Sequence, residues 1–159
     1  MREERINVNI GQSYASKRPV ILQTVLGPCV AVCLHDSKNR IGGMNHIFLP
    51  GSAKAGQINS ITKYSENAME CLLREILDLG GNRRHLVAKA FGGAHVIPVM
   101  YHGFSVGNKI ISFVEDFLKR ERIIVIAKDL GGIYTRKVCF YTDSGKAFVK
   151  RISRSALSG

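Results

Sequence analysis

The chain has 159 residues, of which 45% are hydrophobic and 22% charged, and its formal net charge is +11. This length and composition predict a single globular domain over residues 1–159, since the chain can fill one core but not two. The apolar runs are far shorter than the roughly 18 residues that a membrane span requires. The charged start, residues 1–5, leads into no signal-peptide core. We therefore expect a cytoplasmic protein without membrane insertion.

The positive charge is scattered along the sequence rather than gathered in one stripe. Basic pairs stand apart at 83–84, 119–120 and 136–137, and only residues 146–154 form a basic cluster without acidic residues. Proteins that bind nucleic acid usually concentrate their basic residues and add aromatic stacking groups. We expect no nucleic-acid partner. An acidic protein surface fits the basic cluster as well as DNA does, and a solvated face fits it best.

Hydrophobic periodicity predicts the elements in chain order. Ile6, Val8 and Ile10 alternate with polar residues, which predicts a strand, and a second strand is predicted over 20–26. Residues 29–34 and 41–49 are apolar stretches on either side of a turn-like segment, 36–40, which indicates a hairpin. An exposed loop is predicted over 52–59.

The second half of the sequence predicts both helices and the remaining strands. Apolar residues follow helical spacing from about residue 60 to the Gly80-Gly81 stop, and again over 108–120. Strands are predicted over 86–91, 123–127, 133–141 and 147–152. The predicted fold class is α+β, a single-domain layered α/β sandwich whose mostly antiparallel sheet is covered by two long helices.

Cys29 is the candidate nucleophile because it follows a Gly27-Pro28 turn where an irregular segment becomes a strand. A thiol becomes reactive when a neighbouring base or cation lowers its pKa. If the hairpin pairs Asp36 with Ile41, His46 lies opposite Ala31, and Cys29 is the same-face neighbour of Ala31. His46 is therefore the candidate base. We expect a lowered pKa for Cys29 and faster alkylation than for the other thiols.

Structural roles compete with these functional interpretations. A cysteine in an apolar run is more often a small buried hydrophobe, and this is our expectation for Cys33, Cys71 and Cys139. His46 alone could be a satisfied histidine within a sheet. The glycine pairs 92–93 and 131–132 lack the spacing of a phosphate-binding loop, so turns or close backbone approaches are expected there. The cysteine spacing also disfavours a structural zinc site.

Several ordered motifs resemble one family. Residues 24–34 read TVLGPCVAVCL and residues 42–50 read GGMNHIFLP, and both are similar to the signature of the chemoreceptor glutamine deamidase family, CheD. The stretches 88–94, 129–132 and 136–138 resemble later blocks of that family. The resemblance covers nearly the whole chain.

The resemblance implies a cysteine-dependent protein-glutamine glutaminase with the catalytic residues Cys29 and His46 and no cofactor or metal. A threonine orients the histidine in that family; Thr24 is the candidate, with Gln23 one place away. The implied partners are the cytoplasmic region of a chemoreceptor, as substrate, and a CheC-type phosphatase. The family usually has Ser where this chain has Pro28, which has no N–H. A non-catalytic adaptor that stimulates a CheC-type phosphatase is therefore the alternative.

Overall fold

The computed structural model describes residues 3–52, 64–95 and 106–152. Within these ranges the chain forms nine strands and two α-helices, with a short 3-10 turn at Arg83–His85. The helices are α1, Ser65–Asp78, and α2, Val106–Arg120. The strands are β1 Arg5–Asn7, β2 Ser13–Ser16, β3 Ile21–Leu26, β4 Val30–Asp36, β5 Ile41–Asn45, β6 Leu86–Gly92, β7 Ile124–Leu130, β8 Thr135–Tyr141 and β9 Ala147–Ile152.

The strands form two mixed sheets. One sheet has five strands in the order β2-β5-β4-β6-β7, and the other has four in the order β1-β3-β8-β9. Each sheet contains one parallel pair, β6 with β7 and β1 with β3, and its other pairs are antiparallel. Parallel neighbours require a crossover connection, and α2 lies in the connection between β6 and β7.

Strand β4 is buried on both faces and separates two hydrophobic cores. Val30, Val32 and Leu34 face the core that also contains the apolar sides of α1 and α2. Ala31 and Cys33 face the core between the two sheets. Since successive side chains of a strand point to opposite faces, one strand can serve both cores. The molecule thus has three layers: the four-stranded sheet, the five-stranded sheet and the helices.

Both predicted helices are confirmed within the described residues. α1 buries Ala68, Leu72 and Ile76 at helical spacing, and it ends before Gly80, whose φ of +105° favours glycine. Residues 60–63 of the predicted first helix lie outside the described residues, as does most of the predicted loop at 52–59. α2 begins two residues earlier than predicted.

The α+β class is confirmed, but the expectation of one sheet covered by two helices is wrong. The helices pack on one face of the five-stranded sheet, and the four-stranded sheet covers the other face. The sequence does not predict strand β2, because Ser13–Ser16 has little apolar character. The first strand is shorter than predicted, since Ile10 lies beyond β1 and is exposed.

Candidate functional site

The register of the β4–β5 hairpin determines which side chains can meet. Asp36 lies opposite Ile41, as the sequence predicts, and an isolated bridge joins Val30 to Ile47 further along. Between them the ladder is interrupted at Asn45, where the side-chain Oδ1 accepts a hydrogen bond of 2.8 Å from the Val32 N–H. The same register therefore continues past the interruption and places His46 opposite Ala31.

His46 is buried, with 4% of its surface exposed, and its orientation is fixed by two oxygen atoms. Its Nδ1 lies 2.8 Å from Thr24 Oγ1 and 3.1 Å from the Val8 carbonyl oxygen, and the Thr24 hydroxyl donates to the same carbonyl over 2.7 Å. Because a carbonyl oxygen only accepts, both contacts of Nδ1 are satisfied when the proton is on Nδ1. The lone pair is then on Nε2.

The Nε2 atom of His46 is buried and has no hydrogen-bond partner among the residues that the structure describes. Burial lowers the pKa of His46, and the hydrogen bond to Val8 opposes this shift. The ring is thus neutral near pH 7 and has an unoccupied acceptor atom. This is the state that a general base requires before it takes a proton.

The choice between Thr24 and Gln23 beside His46 is decided by the face of β3 on which each residue lies. Thr24 points inward to His46, whereas Gln23 points outward and donates to Asn7 over 2.7 Å. Neighbouring residues of a strand face opposite sides, so only one of the two can reach the histidine. The structure brings Thr24 and His46 together, and Gln23 stays apart.

Cys29 lies in the turn immediately before β4 and is 5% exposed. Its side chain belongs to the core between the sheets, together with Ala31 and Cys33, which confirms the predicted shared face. His46 contacts Thr24, a residue on the inner face of the opposing sheet, so Cys29 and His46 face the same interlayer space.

The environment of the Cys29 sulfur is apolar. Burial raises the pKa of the Cys29 thiol to about 11, and the backbone N–H of Cys29 opposes this shift. The expectation of a lowered pKa is therefore wrong for the resting protein, because no cation among the described residues offsets the burial of the thiolate. Burial also raises the pKa of Cys33, which is 1% exposed.

The turn that carries Cys29 is held against the end of β6. The Gly93 N–H donates to the Cys29 carbonyl over 2.8 Å, and the Ala94 N–H donates to the Gly27 carbonyl over 3.1 Å. Gly92 has a φ of +109°, and a Cβ atom there would overlap the Cys29 carbonyl oxygen. The glycine pair 92–93 is thus a close backbone approach, as predicted.

Arg136 holds this region together, a structural role that the sequence does not predict. It is 2% exposed, and it donates to the carbonyl oxygens of Gly92 (3.3 Å) and Gly131 (2.6 Å). Asp129 lies 3.3 Å from its Nε atom. Burial of a cation is costly unless it is paired and hydrogen-bonded, and these partners supply that compensation.

A surface pocket of about 600 Å³ opens onto His46 and Thr24. It does not reach Cys29, whose side chain lies deeper between the sheets. The other residues that line the pocket are Asn7, Asn9, Ile10, Gln23, Val25 and Lys137. The histidine thus forms part of the pocket lining, while its Nε2 atom itself is buried.

Two further properties concern metals and membranes. Within the described ranges, no group of three or more His, Cys, Asp and Glu side chains is arranged to hold a metal ion. The described helices include none that is long and apolar enough to cross a membrane.

The fold and site define an α+β protein in which a buried cysteine and a buried, oriented histidine face one interlayer space. The chain matches the family model described as CheD chemotactic sensory transduction over residues 48–151. A Dechloromonas aromatica protein named "Probable chemoreceptor glutamine deamidase CheD 1" is 42% identical over 144 residues, 91% of this chain and 71% of that protein. A Thiobacillus denitrificans protein named "Probable chemoreceptor glutamine deamidase CheD" is 39% identical over 149 residues, 91% of this chain and 72% of that protein. The chain belongs to the CheD family.

A third relative, from Burkholderia mallei, is 42% identical over 141 residues, which cover 87% of this chain and 60% of that protein. The family model begins after His46, but the first two alignments leave less than a tenth of the chain outside. Thr24, Cys29 and His46 therefore lie within the aligned part of both relatives.

Proposed function

We propose that this chain is a cysteine-dependent protein-glutamine glutaminase that converts glutamine side chains of a chemoreceptor to glutamate and releases ammonia. The observation that carries the proposal is His46, whose Nδ1 is held by Thr24 and Val8 while Nε2 is left as an acceptor without a described partner. The names of the relatives supply the substrate class. We propose that the chain forms a single domain that acts in the cytoplasm, and that its reaction needs no cofactor or metal.

The reaction begins with a neutral cysteine–histidine pair. Because the pKa of Cys29 is raised and that of His46 is lowered, the proton stays on sulfur until a substrate amide arrives. His46 Nε2 then takes the thiol proton as sulfur bonds to the side-chain carbonyl carbon. Thr24 is the positioning residue, since its hydroxyl contacts Nδ1 and thereby leaves Nε2 as the ring atom available to the thiol proton.

The second half of the reaction releases both products. His46 returns the proton to the departing nitrogen, the C–N bond breaks, and ammonia leaves a thioester on Cys29. Water activated by His46 adds to the thioester, the C–S bond breaks, and the thiol is regenerated with the glutamate carboxylate. Pro28 cannot donate a hydrogen bond, so we assign the backbone N–H of Cys29 to the developing oxyanion.

The test is incubation of the purified protein with a chemoreceptor cytoplasmic fragment, followed by ammonia assay and peptide mass analysis. Deamidation adds about 1 Da per site without chain cleavage, which separates it from proteolysis. Cys29→Ala and His46→Ala should each abolish ammonia release. Cys33→Ala is the matched control, because it removes a buried thiol from the same face at a cost of roughly 1 kcal/mol of stability. Full turnover by Cys29→Ala would refute the assignment.

Pro28 favours a second candidate function, a non-catalytic adaptor that binds and stimulates a CheC-type phosphatase. Because proline removes one backbone donor next to Cys29, catalysis is weakened while a binding surface is unaffected. If the protein is an adaptor, it releases no ammonia from any receptor fragment. Its Cys29→Ala variant then raises the phosphatase rate as much as the unmodified protein does. We propose no nucleic-acid partner for either function.

A further inference from the structure

The four-stranded sheet has one buried face and one face on which neither described helix packs. Leu22, Leu26 and Val138 belong to the core between the sheets and define the inner face. Since side chains alternate along a strand, Val25 and Lys137 lie on the opposite, outer face. The described helices pack on the five-stranded sheet, and the outer face of the four-stranded sheet is exposed around Val25 and Lys137, although Ile21 on the same face of β3 is buried.

This outer face combines positive charge with exposed apolar side chains. Val25 is 54% exposed and Phe148 is 59% exposed, and the informative feature is that both lie on one face of the sheet. Lys137 and Lys150 are exposed beside them. We call Val25, Lys137, Phe148 and Lys150 the outer-face patch. Among the strand residues described on this face there is no Asp or Glu.

The two lysines of the patch are directly opposite each other in the β8–β9 ladder. Like charges in this arrangement destabilise a sheet. The neighbouring pair on the inner face, Arg136 and Arg151, is also directly opposite, but Asp129 lies 3.3 Å from the first and 2.7 Å from the second. No described carboxylate forms an ion pair with Lys137 or Lys150. The outer pair therefore lacks the counter-charge that the inner pair has.

The patch is continuous with the pocket at His46. Val25 and Lys137 belong to the patch and also line that pocket, and Gln23 lies next to them. The pocket does not reach Cys29, so the patch is a surface beside the opening above His46, and a protein held on it would lie next to that opening. The outer-face patch is thus placed to hold a protein substrate beside His46.

We propose that the outer-face patch docks an acidic, partly apolar segment of the protein substrate, with its carboxylates over Lys137 and Lys150 and its apolar side chain over Val25 and Phe148. This inference rests on the proposed glutaminase function. The two basic residues 150 and 151 have different roles in this proposal. Arg151 is directed inward and pairs with Asp129, whereas Lys150 faces outward and is available to the substrate. Charge complementarity of this kind mainly sets specificity and the rate of association.

The experiment compares Lys150→Gln with Lys119→Gln, a matched control on the exposed side of α2 in the opposite layer. Binding of a fluorescent chemoreceptor cytoplasmic fragment is measured by anisotropy at several salt concentrations, with Cys29→Ala as the background to prevent turnover. Lys150→Gln should raise Kd roughly threefold to tenfold and reduce its salt dependence, and Lys150→Glu should do both more strongly. Lys119→Gln should bind as the parent does.

Thermal stability, ammonia release and binding to other polyanions are measured alongside receptor binding. Thermal stability should not fall in Lys150→Gln, since the substitution removes a like-charge contact. If the wild-type protein releases ammonia and all variants bind equally, the docking proposal is overturned and the glutaminase function stands. If binding depends on Lys150 and no ammonia is released, the glutaminase function fails instead. Tighter Lys150-dependent binding to a DNA duplex or to anionic lipid vesicles than to the receptor fragment would also overturn the proposal.

Discussion

Replacement of Gly92 by alanine tests how closely the Cys29 turn is held against β6. The backbone φ of +109° costs a non-glycine residue roughly 1 to 2 kcal/mol. The added Cβ would also overlap the Cys29 carbonyl oxygen and approach Leu26 Cδ1 at 3.2 Å. Relief of such overpacking costs about 1 to 3 kcal/mol more. We expect Gly92→Ala to lose about 2 to 5 kcal/mol of unfolding free energy and to displace Cys29.

The control is Gly131→Ala, at a position with a φ of +78° and no described heavy atom within 4 Å of the added Cβ. It should lose only the conformational part, about 1 to 2 kcal/mol. Urea unfolding measures the free energies, and ammonia release at a temperature where both variants remain folded measures activity. Equal stability losses in the two variants, together with normal turnover by Gly92→Ala, would refute the close-approach argument.

Three further predictions concern hydrogen bonding and titration. Thr24→Val should lower kcat roughly tenfold by removing one hydrogen bond to the His46 ring, whereas Thr24→Ser should keep most of the activity; equal rates would contradict the positioning role. Because burial lowers the pKa of His46 and raises that of Cys29 to about 11, kcat/KM should fall only below pH 6.5, and alkylation of Cys29 should rise about tenfold per pH unit from 7 to 10. Hydrogen bonding to Arg151 lowers the pKa of Asp129 to about 2, so its stabilisation is complete above the unfolded pKa near 4 and is lost as the pH falls toward 2. After a discount for solvent screening, ionised Asp129 contributes about 1 kcal/mol to the free energy of unfolding. When this free energy is measured as the pH is lowered from 5 toward 2, Asp129→Asn should not show that loss.

The local features of the site could be predicted because they depend on short stretches of sequence. The turn at 36–40 and the apolar residues that flank it determine the hairpin register, and this register places His46 opposite Ala31. The position of Thr24 could not be decided in the same way. A shift of one residue along β3 exchanges its two faces, and the correct face depends on pairing with β8, which is distant in the sequence.

The polar residues of the interior were harder to foresee. Asn45 stands in an apolar stretch, and only the fold shows that its side chain replaces a backbone acceptor for Val32. Arg136 precedes an exposed lysine in the sequence, and the alternation of β8 alone does not say which of the two is inside. The sequence does not predict the second sheet, because its pairings join segments from the two ends of the chain.

The burial of β4 on both faces has a consequence for how the protein opens. The core against the helices and the core between the sheets share this strand, so β4 keeps one covered face even if the helices or the four-stranded sheet detach. We expect the backbone amides of β4 to exchange with deuterium only through global unfolding, at the slowest rates in the chain. Cys29 is joined directly to this strand, and the reactive turn is therefore anchored to the part of the protein that opens last.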